Sequence, residues 1–302
     1  MKEEKLEAAY AECRSIARRA AKNFYYSFVA LPKPRKNAIC AIYAFMRRAD
    51  DLADDESLTR EERQRRLYTW QADWRGVCHG GDSSDLVFYA VRDAVERFTI
   101  PLNLLDELIA GVTMDLKQAA SDKPDTYANF ADLYRYCYLV ASVVGLVCIR
   151  IFGYQDPRAE KLAEETGIAF QLTNILRDVA EDSQRNRVYL PLEDLAAHKV
   201  SLDSLLHRKA AAPPTENERA LLKEIAQRAE VYYQSAQALM PLIDKESRPA
   251  LWVLVTIYHA LLKRIERADY DVFSRRASVP MVEKLAILAV GLFRMAWVRV
   301  VG

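Results

Sequence analysis

Four aspartates fall within six positions of YAFMRRADDLADD (Tyr43–Asp55): Asp50, Asp51, Asp54 and Asp55, beside Arg47 and Arg48. A second acidic group lies in QLTNILRDVAEDSQRNRVYLP (Gln171–Pro191), where Asp178, Glu181 and Asp182 follow Asn174. Asp50 and Asp54 are four apart, as are Asp178 and Asp182, so each pair shares one helix face with Cβ atoms roughly 5–6 Å apart. Asn174, four residues before Asp178, extends the second face. Like charges at this spacing cost about 0.2–0.5 kcal/mol per pair, and Asp is a poor helix former. Carboxylates so placed can share a hard cation such as Mg²⁺, which takes one or two carboxylates and leaves the rest of its shell to water and phosphate. Arg47, Arg48, Arg177, Arg185 and Arg187 stand nearby and offer donors for phosphate oxygens. A single cluster of this kind is ordinarily a solvated face. Two clusters, with Leu52, Ala53 and Val179, Ala180 between the acids, indicate two acidic helices facing across a cavity and holding Mg²⁺ and a diphosphate.

The elements that must carry these residues read as helices. Only 9 of 302 residues are glycine, and alternating strand patterns are scarce. Apolar residues recur at three- and four-residue spacing over Ala38–Ala53, Leu102–Leu116, Tyr134–Phe152, Ala163–Val179, Leu221–Met240 and Leu251–Tyr270, which predicts an all-α protein. Leu31–Asn37 separates the first two helices, since Pro32 and Pro34 forbid continuation from one into the next, and breaks fall near 80, 125 and 155. Ala210–Glu218 (AAAPPTENE) reads as a surface loop, so residues 1–302 form a single domain. Neither GxGxxG nor a P-loop occurs.

The bulk numbers exclude several classes. With 51% hydrophobic residues the chain can bury a core, which excludes disorder. The net charge of +1 gives no general pull on nucleic acid. Five cysteines lack CxxC spacing, which speaks against zinc. The charged N-terminus lacks a signal-peptide core, so a reducing, cytoplasmic setting is expected. Leu285–Gly302, interrupted by Arg294 and Arg299, is expected to be a buried C-terminal helix; the alternative is a basic, apolar helix touching a membrane surface.

Taken together, these motifs resemble the squalene/phytoene synthases, the head-to-head class of isoprenyl diphosphate synthases. YAFMRRADDLAD is similar to the family's first aspartate-rich motif, YCYLVASVVG (Tyr136–Gly145) to its central tyrosine motif, and QLTNILRDVAEDSQRNRVYLP to its second aspartate-rich motif. AKNFYYSF (Ala21–Phe28) holds the place of the N-terminal segment, with Asn23 where serine is common. FSRRASVPMVEKL (Phe273–Leu285) resembles the basic C-terminal segment. The resemblance implies an isoprenoid synthase fold, a helical bundle around a large central cavity. It implies Mg²⁺ at Asp50, Asp54, Asp178 and Asp182 with support from Asn174. It implies diphosphate contacts from Lys22, Arg47, Arg177 and Arg276, and further substrate contacts from Phe24 and Gln171. Tyr43, Tyr136 and Tyr258 would lie near the reacting carbons, and the small Ala141, Ser142 and Gly145 would leave room for a prenyl tail.

The implied reaction is head-to-head condensation of two C15 or C20 prenyl diphosphates. VASVVGLVCIRIFGY looks closest to hopanoid-pathway enzymes that make presqualene diphosphate from two farnesyl diphosphates; the carotenoid branch, making dehydrosqualene or phytoene, more often reads VAGTVG. Continuation to squalene needs hydride from NADPH, and the sequence leaves NADPH use open. A head-to-tail prenyl synthase or terpene cyclase is a near alternative, which the second motif disfavours. A non-enzymatic helical scaffold is the distant one. The expected partners are prenyl diphosphates, with peripheral membrane contact as a further expectation and no nucleic acid.

Overall fold

The computed structural model describes residues 2–55, 57–118, 124–208 and 212–301, apart from the side chains of Lys2, Lys22, Asn23, Phe24, Tyr26, Asp115, Lys117, Gln118 and 297–301. Helices dominate, in the order α1 (Lys2–Ala20), α2 (Lys22–Val29), α3 (Lys33–Ala53), α4 (Arg60–Cys78), α5 (Leu86–Phe98), α6 (Leu102–Gln118), α7 (Phe130–Cys137), α8 (Val143–Phe152), α9 (Arg158–Gln184), α10 (Leu192–Ala197), α11 (Leu202–Leu206), α12 (Glu216–Leu239), α13 (Arg248–Arg267) and α14 (Met281–Val301). The all-α expectation holds, and every apolar-periodic stretch named above lies largely within helix.

Side-chain caps set several boundaries. Thr59 accepts from the Glu62 amide, Asp85 from Val87 and Asn129 from Asp132. Thr215 and Glu218 form a reciprocal capping box that opens α12. Its carboxylate also receives the Arg208 guanidinium, so the end of the AAAPPTENE loop is fixed on one ion pair.

Two apolar clusters make the core. In the first, α1, α3, α4 and α5 close around Phe45, Trp70, Trp74 and Phe88, with Phe45 and Trp74 ring centroids 5.1 Å apart. In the second, α9 runs along α12 and meets α13 through Leu172, Leu176, Ile225 and Leu262. Between α7 and α8 the chain widens into one π-helical turn, Tyr138–Ser142. A Cβ built on Gly167 would stand 2.5 Å from Ser142 Cα, and one on Gly145 would stand 3.0 Å from the Ala163 carbonyl oxygen. The small residues of the central motif therefore serve close helix packing at these points. This corrects the expectation that Ser142 and Gly145 leave room for a prenyl tail, because the backbone of α9 and the π turn fill that space.

Phe130–Phe152 is the one helical stretch, among the described residues, long and apolar enough to cross a membrane. It is enclosed by α3, α6 and α9. Yet Leu139, Val140, Ala141, Val144 and Leu146 keep part of their surface accessible. The C-terminal helix departs from expectation. It packs on α13 and α2, but Val282, Leu285 and Phe293 are exposed. It covers one face of the bundle and keeps its other face exposed.

One feature had no signal in the sequence. Asp125–Thr126 pairs in parallel with Arg187–Val188, in register Asp125 to Arg187. Two residues are too short for an alternating pattern. The ladder ties the loop after α6 to the acidic end of α9.

Candidate functional site

Both acidic clusters lie at the carboxyl ends of their helices. α3 ends at Ala53, and the Asp54 amide donates to the Asp50 carbonyl at 2.8 Å, so all four aspartates sit in or just past the last turn. α9 ends at Gln184 with Asp178, Glu181 and Asp182 in its last two turns and no basic residue in the last. Carboxylates there meet the negative end of the helix dipole, an unfavourable placement of roughly 0.3–1 kcal/mol each. The carbonyl ends of two helices and their acids thus create two regions of negative potential suited to cations.

The acids of α9 divide into two states. Asp178 accepts from Arg177 through both carboxylate oxygens and from Arg276 Nε at 2.8 Å. Burial would raise its pKa, but the hydrogen bonds from Arg177 and Arg276 outweigh burial and hold it below the usual carboxylate range. Arg276 also lies 3.4 Å from Glu181, so the segment between α13 and α14 is fastened to α9. Asp182 goes the other way. Burial, reinforced by the Asp178 charge, pushes its pKa up to about 7 against the pull of Arg187. Arg187 is also 3.7 Å from Asp125, its ladder partner.

On α3, Arg47 pairs with Asp51 at 2.6 Å. Asp55 accepts from the Ser57 amide and hydroxyl; Asp54 is exposed and Asp50 half-buried at the end of the helix. Tyr43 lies two turns before Asp50 on α3. Its half-buried hydroxyl is raised in pKa by desolvation, with Arg47 pulling it down and Asp50 pushing it up.

Tyr258 joins the two halves. From the middle of α13 it hydrogen-bonds Asn174, lies within electrostatic reach of Arg177, Asp178 and Tyr43, and has a pKa pushed up to about 12, chiefly by burial. Its ring stacks on Phe170 at 4.4 Å between centroids. Asn174 Nδ2 also donates to Gln171 Oε1 at 3.3 Å. Tyr43, Gln171, Asn174, Arg177, Asp178, Tyr258 and Arg276 are therefore brought into one connected region. Tyr136 occupies a separate stack, its ring 5.0 Å from Tyr189 and 5.5 Å from Tyr127. The expected contacts Lys22 and Phe24 belong to α2, which packs on α13, but their side chains lie outside the described residues.

The donor set can be tested against a divalent cation. Asn174 Oδ1 is buried without a hydrogen-bond partner, on the same face as Asp178. A buried carbonyl oxygen with no donor is a group that a hard cation satisfies. Among the described residues no three acidic or histidine side chains converge on one point. The residues fit such an ion.

Several participants carried no sequence signal. Phe170 reads as ordinary core until α13 brings Tyr258 onto it. Asp125 comes beside Arg187 only through the short ladder, a long-range pairing. A separate groove of about 510 Å³ lies between α4, α6 and the π turn, lined by Tyr68, Gln71, Asp106, Ile109, Met114 and Leu139 among others. None of the acids discussed above lines it.

Comparison with known proteins places this geometry in context. A family model described as squalene/phytoene synthase matches residues 17–283. The 15-cis-phytoene synthase of Synechococcus elongatus is 34% identical over 303 residues, covering 96% of this chain and 94% of that protein. The chain spans 65–66% of the length of three chloroplastic phytoene synthases that it also matches, those of Arabidopsis thaliana, Narcissus pseudonarcissus and Zea mays. A dehydrosqualene synthase crystallised with a ligand superposes with a TM-score of 0.83 at 29% identity, covering 98% of this chain and all of that one. Squalene synthase HpnC from Alicyclobacillus acidocaldarius superposes with a TM-score of 0.78 at 25% identity, over 88% of this chain and 96% of its own.

Proposed function

We propose, from the premise that this chain belongs to the squalene/phytoene synthase family, that it joins two farnesyl diphosphates head to head to give presqualene diphosphate. Membership makes it a prenyltransferase of the head-to-head class; the substrate and the site roles are our reading. The observation that carries the site reading is Tyr258, which hydrogen-bonds Asn174 and stands within electrostatic reach of Asp178 on α9 and of Tyr43 on α3.

In this reading Asp50 and Asp54 on one side, and Asp178 and Asp182 with Asn174 on the other, hold Mg²⁺. Bound there, the ion supplies Lewis-acid stabilisation of the departing diphosphate. Arg177 and Arg276 neutralise Asp178 until substrate arrives, then offer their donors to phosphate oxygens, as does Arg47 from Asp51. Donors fixed where negative charge develops favour the transition state over the bound substrate. Tyr43 and Tyr258 present ring faces near the allylic carbon, where such faces stabilise a cation by about 0.5–2 kcal/mol. The apolar surface along Leu139–Leu146 keeps water away from that cation. Lys22, Phe24 and Gln171 complete the substrate contacts, and Tyr136 acts on the same cavity from its own stack. Because the tails are apolar, the reading extends to peripheral contact with a membrane.

VASVVG in the central motif favours the C15 substrate. The phytoene synthases at 34% identity favour a second reading, condensation of two C20 units or formation of a carotenoid precursor. Incubation with farnesyl or geranylgeranyl diphosphate and Mg²⁺, with and without NADPH, followed by mass spectrometry, decides. Presqualene diphosphate from the C15 substrate is expected. Squalene only with NADPH extends the reading by a hydride step. Turnover confined to the C20 substrate replaces it with the second, and no condensation with either overturns both.

A further inference from the structure

The structure assigns a docking role to α14: we propose that its outer face lies on the surface of an anionic lipid bilayer. This rests on the family reading for its motive, an apolar substrate, but on separate residues for its content.

The sequence of α14 between Leu285 and Ala296 contains one charged residue, Arg294, and no other polar side chain. A helix this apolar is expected to be buried on all sides, yet Val282 is 79% exposed, Leu285 50%, Val290 45% and Phe293 69%. Together with the exposed Ala286 and Ala289, these positions follow three- and four-residue steps and form one stripe. The opposite side is committed to the bundle. Ile287 is buried against Val253 and Ile257, and Gly291 faces the Val253 side chain so closely that a Cβ would come within 2.3 Å of it. The helix thus has one apolar face for α13 and another for a partner.

Charge selects the partner. Besides Arg276, which is committed to Asp178, residues 273–302 hold four basic residues, Arg275, Lys284, Arg294 and Arg299, against the single acid Glu283, in a chain whose whole balance is +1. Glu283 is itself paired with Arg264. Arg294 folds back over the Trp252 ring at 4.0 Å, beside the apolar stripe, as an arginine does when its stem lies in an apolar layer and its head stays at the boundary. An apolar stripe flanked by cations matches an interfacial helix on anionic lipid, where apolar burial and electrostatic attraction add. Placement supports this: α14 packs on α13, which carries Tyr258, and on α2. A bilayer under α14 lies next to the helices of the prenyl site.

The test uses the full chain and vesicles of phosphatidylcholine alone or with one third phosphatidylglycerol. Flotation is measured for the native protein and for Val282→Glu and Phe293→Glu, whose exposed positions leave the core intact; circular dichroism checks folding. Binding to the anionic vesicles is expected, at least tenfold weaker in either variant and weaker at high salt. Condensation of detergent-dispersed substrate by the variants is expected to be unchanged. Absence of flotation, or flotation that neither variant reduces, overturns the assignment while leaving the enzymatic reading intact if condensation persists. A concentration-dependent dimer by light scattering, lost in Phe293→Glu, also overturns it and gives the face to a second copy of the chain.

Discussion

Replacing Asp182 by asparagine should make the metal-free protein more stable at neutral pH, although it removes a residue of the proposed site. In the folded protein the Asp182 carboxyl titrates at about 7; in an unfolded chain an aspartate titrates near about 3.9. Between these values the folded state holds a proton that the unfolded state has released. Stability is therefore greatest below the unfolded value and is lost as pH rises through the folded one. A shift of about three units corresponds to roughly 4 kcal/mol at about 1.36 kcal/mol per unit. Solvent reaching this half-buried carboxyl reduces that to about 2 kcal/mol. Urea unfolding in EDTA, from pH 4 to pH 8, measures it. Asp182→Asn minus wild type should begin near zero and climb to about 2 kcal/mol in the variant's favour. Adding Mg²⁺ and pyrophosphate should shrink the difference, because a ligand bound only by the folded state supports the native carboxylate by mass action. A difference that stays flat with pH, or a variant less stable than wild type at pH 8, refutes the electrostatic reasoning.

Other expectations follow from the same geometry. Arg276→Ala leaves Asp178 with one guanidinium partner, so calorimetry should show tighter Mg²⁺ binding without diphosphate and steady-state kinetics a higher KM for the prenyl substrate. Gly167→Ala drives a methyl into the Ser142 backbone and should cost about 1–3 kcal/mol in chemical denaturation. Glu218→Ala strips a buried ion pair and the carboxylate half of the α12 capping box, with a loss of about 3–5 kcal/mol expected in the same assay. Tyr258→Phe keeps the ring stacked on Phe170 and removes the hydroxyl that Asn174 contacts; a loss near 1 kcal/mol with near-normal condensation would assign the tyrosine's part to its ring.

How much of this was legible beforehand depended on the range of the interaction. The helices were readable because amphipathic periodicity is local, and α3, α9, α12 and α13 lie where apolar spacing puts them. The acid pairs were readable for the same reason, since a four-residue spacing fixes a shared face whatever the tertiary structure. That both pairs stand at helix carboxyl ends was not, because Asp54 terminates α3 without a glycine or proline to announce it. The Phe170–Tyr258 stack, the Asp125–Arg187 rung and the grip of Arg276 on Asp178 join residues far apart in sequence. α14 was misjudged because composition reports how apolar a helix is and says nothing of how many neighbours it finds.

The π turn at Tyr138–Ser142 constrains how this chain can vary by insertion and deletion. Each residue added to or removed from an α-helix rotates everything beyond it by roughly 100° about the axis. One wide turn in the middle of an otherwise helical run has the same geometric effect as a single inserted residue, so the Tyr136 side and the Val143–Phe152 side present faces that an unbroken α-helix could not align. Deleting any one residue of the turn would restore regular winding. It would also swing the tyrosine stack away from Tyr189 or α8 away from Ala163. Point substitutions can accumulate on either side of the turn, but its length is fixed by both neighbours at once, so relatives that share this packing should align across it without a gap.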